Sequence, residues 1–355
     1  MAVPYSAEAD VLAARNPGAW SLHSAGLLHQ TLGRIFRNAG DLGRSLAESD
    51  KALDDFRRLD AFSGPELHIA MARPEADRDE VLHMLGLTQI SRSAALLDAG
   101  RLAESLAAIE DGRRREEECL ALAPGSPPPM RSLTIVPGLR SVVLLEMGRR
   151  QEAIAEARRE LRLTQEFLAT DDSAVMTQRD VSQAKRHLGN ALGDPGPLAQ
   201  AAKEIGAIAD GDPEFLLNRV LQAGTLNEYG FALAGNGRPA DAASAFRQAL
   251  SRSEQVLAQA PGWVDALREK GMAEAGLGSG QCRGTWARVK EKSPLRSRPG
   301  DSRGACVGLS VMVPEGGGTN VFRGGRCSGT SERLALWPDR DAAGVPERAC
   351  LRFRC

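Results

Sequence analysis

Apolar residues return along this chain at three- and four-residue spacing, in pairs of helical stretches joined by a glycine. The clearest pair is TLNEYGFALAGNGRPADAASAFRQALSRSEQVLAQAP, Thr225 to Pro261. Leu226, Gly230 and Leu233 share the face of a first helix; a Gly235 to Pro239 turn follows. Ala242, Phe246, Ala249, Leu250, Val256 and Leu257 then keep helical spacing along a second. Pro239 sits where a helix start accepts it, and Pro261 with Gly262 stops the second helix. Small residues at Gly230 and Ala242 predict close approach of the two helices, with Phe246 filling the space between units. Glycines at Gly40, Gly100, Gly148, Gly196 and Gly237 occupy the same point of the pattern, with a 48-residue step on either side of Gly148. A lone hairpin cannot bury its apolar face, so the expectation is an all-α stack in which neighbours supply one another's core.

These units resemble the tetratricopeptide repeat: a Leu-Gly pair in the first helix, a glycine turn, then alanine, a bulky residue, alanine and proline. HLGNALGDPGPLAQAAKEIGAIADGDP offers Leu188, Gly189, Leu192, Gly196, Leu198, Ala201, Ile205, Ile208 and Pro213 in that register. TLGRIFRNAGDLGRSLAESDKAL offers Leu32, Gly33, Phe36, Gly40, Leu42 and Ala52. Two units are degenerate, with Arg92 and Ser93 in place of Leu-Gly before Gly100, and no aromatic after Gly148. The resemblance implies a right-handed superhelical α-solenoid whose first helices line a concave, peptide-binding groove. Pro124 follows Ile109, and Pro261 follows Phe246, by 15 residues, against 8 from Ile205 to Pro213. Those second helices should be about two turns, or roughly 10 Å, taller. In this they are similar to arrays behind the catalytic domains of bacterial signalling proteins, notably serine/threonine kinases. The expected core comprises Leu32, Phe36, Leu188, Leu192, Leu233 and Phe246.

The boundaries follow from the same pattern. Residues 1–20 read as the end of a truncated repeat with no polar capping helix before it. Residues 21–280 hold about five hairpins and a partial sixth, whose second helix is reduced to the short WARVKEK. Residues 281–355 are rich in Gly, Arg and Cys, and suit a disordered tail or a non-native reading frame. Charge divides likewise: from Arg283 to Cys355 there are fourteen Lys or Arg against seven Asp or Glu, leaving −8 on the part before it. Arg323, Arg326, Arg352 and Arg354 beside Phe322 and Phe353 form no array, so no nucleic-acid partner is expected. No basic segment leads an apolar run and no eighteen apolar residues are consecutive, which gives a cytoplasmic, non-membrane expectation.

Candidate chemistry is sparse. Gly276, Gly278 and Gly280 read as a helix stop, and GGRCSGTS lacks the Lys-Ser/Thr of a phosphate loop. No kinase loop, metal-binding Asp motif or G-x-S-x-G occurs, and no cysteines stand in CxxC spacing. His23, His29, His68, His83 and His187 lack a second ligand at metal spacing and read as surface or interface histidines. Glu116, Glu117 and Glu118 should raise the Cys119 pKa and leave it unreactive. The chain is therefore expected to be neither an enzyme nor cofactor- or metal-dependent. Arg34 with Asn38, and Arg186 with Asn190, place a cation and an amide four apart on a first helix, and Asn227 lies in the next unit. These five are the candidate peptide-binding residues, through charge-assisted hydrogen bonds to a carboxylate, as the carboxylate clamp of chaperone-binding tetratricopeptide proteins implies. The functional expectation is a protein- or peptide-binding scaffold. The alternative is the regulatory region of a signalling enzyme whose catalytic domain lies upstream.

Overall fold

The computed structural model describes residues 3–15, 18–62, 78–170 and 175–292. Thirteen α-helices span them: α1 (Val3–Arg15), α2 (Ala19–Asn38), α3 (Leu42–Asp60), α4 (Arg78–Asp98), α5 (Leu102–Leu122), α6 (Pro127–Glu146), α7 (Arg150–Leu168), α8 (Val175–Leu192), α9 (Pro195–Gly211), α10 (Leu216–Gly235), α11 (Pro239–Gln259), α12 (Val264–Gly276) and α13 (Cys282–Lys292). From α2 onward they pair as six hairpins, and each second helix also packs on the first helix of the next. Successive first helices touch along the stack, which puts them on its crowded inner side and the second helices outside. The architecture is an all-α solenoid of stacked hairpins. The expected tail from residue 293 onward lies outside the described residues.

One device makes every hairpin turn. Gly40, Gly100, Gly148, Gly193, Gly237 and Gly278 have φ between 65° and 82°, a left-handed conformation that glycine adopts without a Cβ clash. The residue after each donates its N–H to the carbonyl five residues back: Asp41 to Phe36, Arg101 to Leu96, Arg149 to Leu144, Asp194 to Gly189, Arg238 to Leu233, Ser279 to Glu274. That six-to-one bond is the Schellman closure, which satisfies a helix-end carbonyl while reversing the chain. Asp41 and Asp194 then cap the second helix, accepting from the Arg44 and Gly196 N–H groups.

The fourth turn corrects the sequence register. Its glycine is Gly193; Gly196 lies inside α9, just after Pro195 at a helix start. The three-residue shift has consequences in the core. Leu32, Phe36, Leu233 and Phe246 are buried as expected, whereas Leu188 and Leu192 are half-buried, and Ala184 and Ala191 take the fully buried places. Helix α9 also begins earlier than the spacing suggested. It has 17 residues against 21 in α5 and α11, so the outer layer is taller there by four residues, about one turn or ~6 Å, rather than two.

Phe246 is fully buried, and its ring lies where a Cβ on Gly230 would come within 2.6 Å of it. It meets Gly276 of the next hairpin just as closely, so one ring joins two units. Phe56 fills the same role over Gly26 in the first hairpin. The sixth hairpin is more complete than WARVKEK indicates. Helix α13 starts at Cys282, and Trp286 and Val289 close a cluster with Val264 and Leu267.

Candidate functional site

Gln30, Arg34, Arg37 and Asn38 share a stripe of α2, because residues three and four apart lie on one helix face. Gln30 Nε2 donates to Thr88 Oγ1 at 2.8 Å, and Arg37 Nε to Asp98 Oδ2 at 2.8 Å, so this stripe meets α4 on the inner side. Between these ties Arg34 is exposed and Asn38 half-buried. Neither has a side-chain hydrogen bond or ion pair among the described residues.

Helix α8 carries the second Arg-Asn pair in a different setting. Counted back from its turn glycine, Arg186 stands at the seventh position, where the other hairpins have Gly33, Ser93, Ser141, Gly230 and Gly271. Arg34 stands at the sixth. One residue is a 100° rotation on a helix, so the two pairs face different ways. Arg186 reaches α10, and its Nε and Nη2 donate to the two Glu228 oxygens, both at 2.5 Å. Burial opposes charge on Glu228, but the Arg186 guanidinium and hydrogen bonds from Arg186 and Asn190 outweigh it and hold the carboxyl below the usual range. The Arg186 pKa is raised in return: burial opposes its charge and Glu228 more than compensates.

Asn227 is buried between α10 and α12. Its Nδ2 donates to the Glu269 carbonyl at 2.9 Å and to Glu269 Oε2 at 3.0 Å, while its Oδ1 has no hydrogen-bond partner among the described residues. The structure thus brings Arg186, Asn190 and Asn227 into one run of ties linking α8, α10 and α12, and keeps Arg34 and Asn38 apart from it.

Sequence reasoning missed a set of histidine-carboxylate pairs. His29 Nδ1 lies 2.6 Å from Glu48 Oε2, His83 Nδ1 2.8 Å from Glu116 Oε2, and His187 Nδ1 2.8 Å from Glu160 Oε2. All three glutamates are buried, Glu116 completely. Two of these pairs lie within a hairpin and one between hairpins, 19, 33 and 27 residues apart, so no motif could announce them. Room comes from glycine: a Cβ on Gly86 would stand 2.9 Å from Glu116, and one on Gly138 would overlap Glu160. Cys119 behaves as its neighbours suggested, though the first cause differs. Burial, then the Glu116 charge, pushes its thiol up to about 12.

On the outer side a groove of about 580 Å³ runs between α5 and α7, floored by Met130, Leu133 and Pro137 of α6. Pro137 lies inside the helix and has no N–H to return to the Leu133 carbonyl. Among the described residues no three His, Cys, Asp or Glu side chains are placed to hold a metal ion, and no helix is long and apolar enough to cross a membrane.

No family model matches this chain, and no curated protein matches it. Among solved structures it is similar to the TPR2AB-domain:pHSP90 complex of yeast Sti1, at 13% identity and a TM-score of 0.27, covering 81% of this chain and 97% of that one. It is also similar to the P58(IPK) TPR domain, at 13% identity and a TM-score of 0.22, covering 79% and 96%. The chain's own geometry carries the assignment: six Schellman-closed hairpins, a close-packed glycine or serine seven residues before five of the turns, and second helices stacked on the next unit. It is a tetratricopeptide-like array of helical hairpins.

Proposed function

We infer that the array serves as a binding scaffold for a protein or peptide, and that the ligand lies along the inner surface formed by α2, α4, α6, α8, α10 and α12. The observation that supports this most is the state of the inner polar side chains on α2. Arg34 and Asn38 project beside residues that tie α2 to α4, yet among the described residues neither has a side-chain partner, which leaves them to meet a ligand carboxylate or backbone carbonyl. Arg186, Asn190 and Asn227 take a second role in this reading. Their hydrogen bonds to Glu228 and Glu269 fix the spacing of three first helices, and the ligand meets the remaining edges of the pairs.

The reading is tested by placing a photo-crosslinking residue at Thr31, exposed beside Arg34 on the inner helix α2, and separately at Arg158, exposed on the outer helix α7. Both proteins are irradiated in extracts of the source cells. A discrete adduct from position 31 that is absent at 158, and lost when Arg34→Ala and Asn38→Ala are added, is the expected result. Equal adducts at both positions, or one at 158 alone, would place binding elsewhere.

A further inference from the structure

On the outer side of the first hairpin, α1 and α3 enclose a cleft of about 380 Å³ with His29 of α2 behind it. Most charged groups around it are already satisfied. Lys51 Nζ donates to Asp10 Oδ2 at 2.7 Å and to Ser6 Oγ at 3.2 Å, which pins α1 to α3. His29 Nδ1 is held at Glu48, with its Nε2 3.5 Å from Asp10. Asp50 accepts from Arg92 Nε at 2.8 Å.

Asp55 is the exception. Its side chain is only 6% exposed and lines the cleft, yet among the described residues no donor comes within hydrogen-bonding distance. Arg58 Nη1 stands at 3.6 Å and His29 Nε2 at 3.9 Å. A carboxylate this buried loses most of its water, and two cations beyond hydrogen-bonding distance replace those hydrogen bonds only in part. Burial accordingly pushes the Asp55 carboxyl above the usual range, with His29 and Arg58 offsetting only part of the effect. Asp54, at the mouth of the same cleft, is exposed and unpaired among the described residues. The lining carries Asp10, Asp50, Asp54 and Asp55 against Lys51 and Arg58, a net deficit of positive charge.

We propose that this cleft binds the guanidinium of an arginine side chain presented by a partner, with Asp55 as the buried acceptor and Asp54 as the acceptor at the mouth. A guanidinium suits it better than an ammonium. Its planar fork of five donors can bridge two carboxylates, and its weak hydration lowers the cost of partial burial. The cleft lies on the outer face, so this site stands apart from the inner-groove reading, and either can fail without the other.

The test is titration of the full chain at low salt with Nα-acetyl-argininamide, and with its neutral isostere Nα-acetyl-citrullinamide, followed by calorimetry. The argininamide binds and the citrullinamide does not. Asp55→Asn weakens binding about tenfold, as loss of one charge-assisted hydrogen bond predicts. Asp54→Asn gives a smaller loss, and raising the salt weakens the exposed contact first. Ala14→Phe fills the cleft from an exposed position on α1, leaves every carboxylate in place and abolishes binding. This variant keeps the test open should Asp55→Asn unfold the chain. Equal binding of the two amides, or Ala14→Phe binding like the parent, would overturn the proposal. Equally tight binding of Nα-acetyl-lysinamide would overturn its guanidinium specificity.

Discussion

The fourth hairpin (α8 and α9) and the fifth (α10 and α11) solve the same packing problem with opposite assignments of size. In the fifth, Leu233 stands four residues before the turn glycine and Ala242 five after it, both fully buried. The first three hairpins follow suit, with Phe36 and Ser45, Leu96 and Ser105, Leu144 and Ala153. In the fourth the order is exchanged: Gly189 stands before the turn and Leu198 after it. A Cβ on Gly189 would come within 2.6 Å of Leu198 Cγ, so the glycine makes room for the leucine. The total volume is kept while the point of closest approach moves one turn along the first helix, and volume-conserving exchanges are what cores tolerate. The seventh position before the turn is thereby released from packing. Arg186 occupies it and reaches the neighbouring hairpin, where Gly230 in the fifth hairpin takes the Phe246 ring instead.

The comparison can be broken from either side. The largest effect is expected in the fifth hairpin: Phe246→Ala removes a ring shared by two units and should cost about 3 to 5 kcal/mol, read by chemical denaturation. In the fourth, Gly189→Ala meets the Leu198 side chain and also fixed backbone, with the Leu198 N at 3.1 Å and the Asp194 O at 3.2 Å. It should cost about 1 to 3 kcal/mol. Combined with Leu198→Ala, the loss should fall short of the sum of the two single changes, since both act on one contact.

Arg186→Met keeps length but takes the cation from Glu228 and leaves it only the Asn190 hydrogen bond, and should cost on the order of 1 to 3 kcal/mol at neutral pH, below the fully buried case because both side chains keep some exposure. The pH dependence has a definite sign. The folded Glu228 carboxyl is held below its unfolded value, near ~4.3. Its contribution is present above that value and lost as pH falls through the lower folded one. Glu228→Gln should therefore flatten the acid limb of the stability profile. Leu188→Ala, half-buried, should cost clearly less than Phe246→Ala. The smallest effect belongs to Arg149→Ala: its pair with Glu152 is exposed, and the melting temperature should not move measurably.

Much of the hairpin array was legible in the sequence because a 3.6-residue period and a turn glycine are local signals. At Gly40, Gly100, Gly148 and Gly237 the glycine picked out by the repeat is the one that makes the turn, and the N-cap of the second helix follows it directly. The fourth turn has two glycines three apart, Gly193 and Gly196, and the 48-residue spacing favoured the second. Physics favours the first, because Asp194 can cap and Pro195 can start a helix only if the reversal precedes them. The site was less legible. That Arg34 has no partner among the described residues while Arg186 is tied to Glu228 depends on a one-residue rotation relative to the turn, and the error in the turn hid it. The histidine-glutamate pairs and the loosely paired, buried Asp55 arise from side chains on different helices, and no one-dimensional spacing encodes them.

Thermal unfolding of Gly193→Ala beside Gly196→Ala tests the fourth-hairpin register most directly. Gly193 has φ of 65°, where a Cβ costs about 1 to 2 kcal/mol, whereas Gly196 lies in the first turn of α9 in a conformation alanine adopts. The register predicts a lowered melting temperature for Gly193→Ala and an unchanged or raised one for Gly196→Ala. A loss at Gly196 with none at Gly193 would contradict it, and with it the size exchange and the orientation of Arg186 that follow from it.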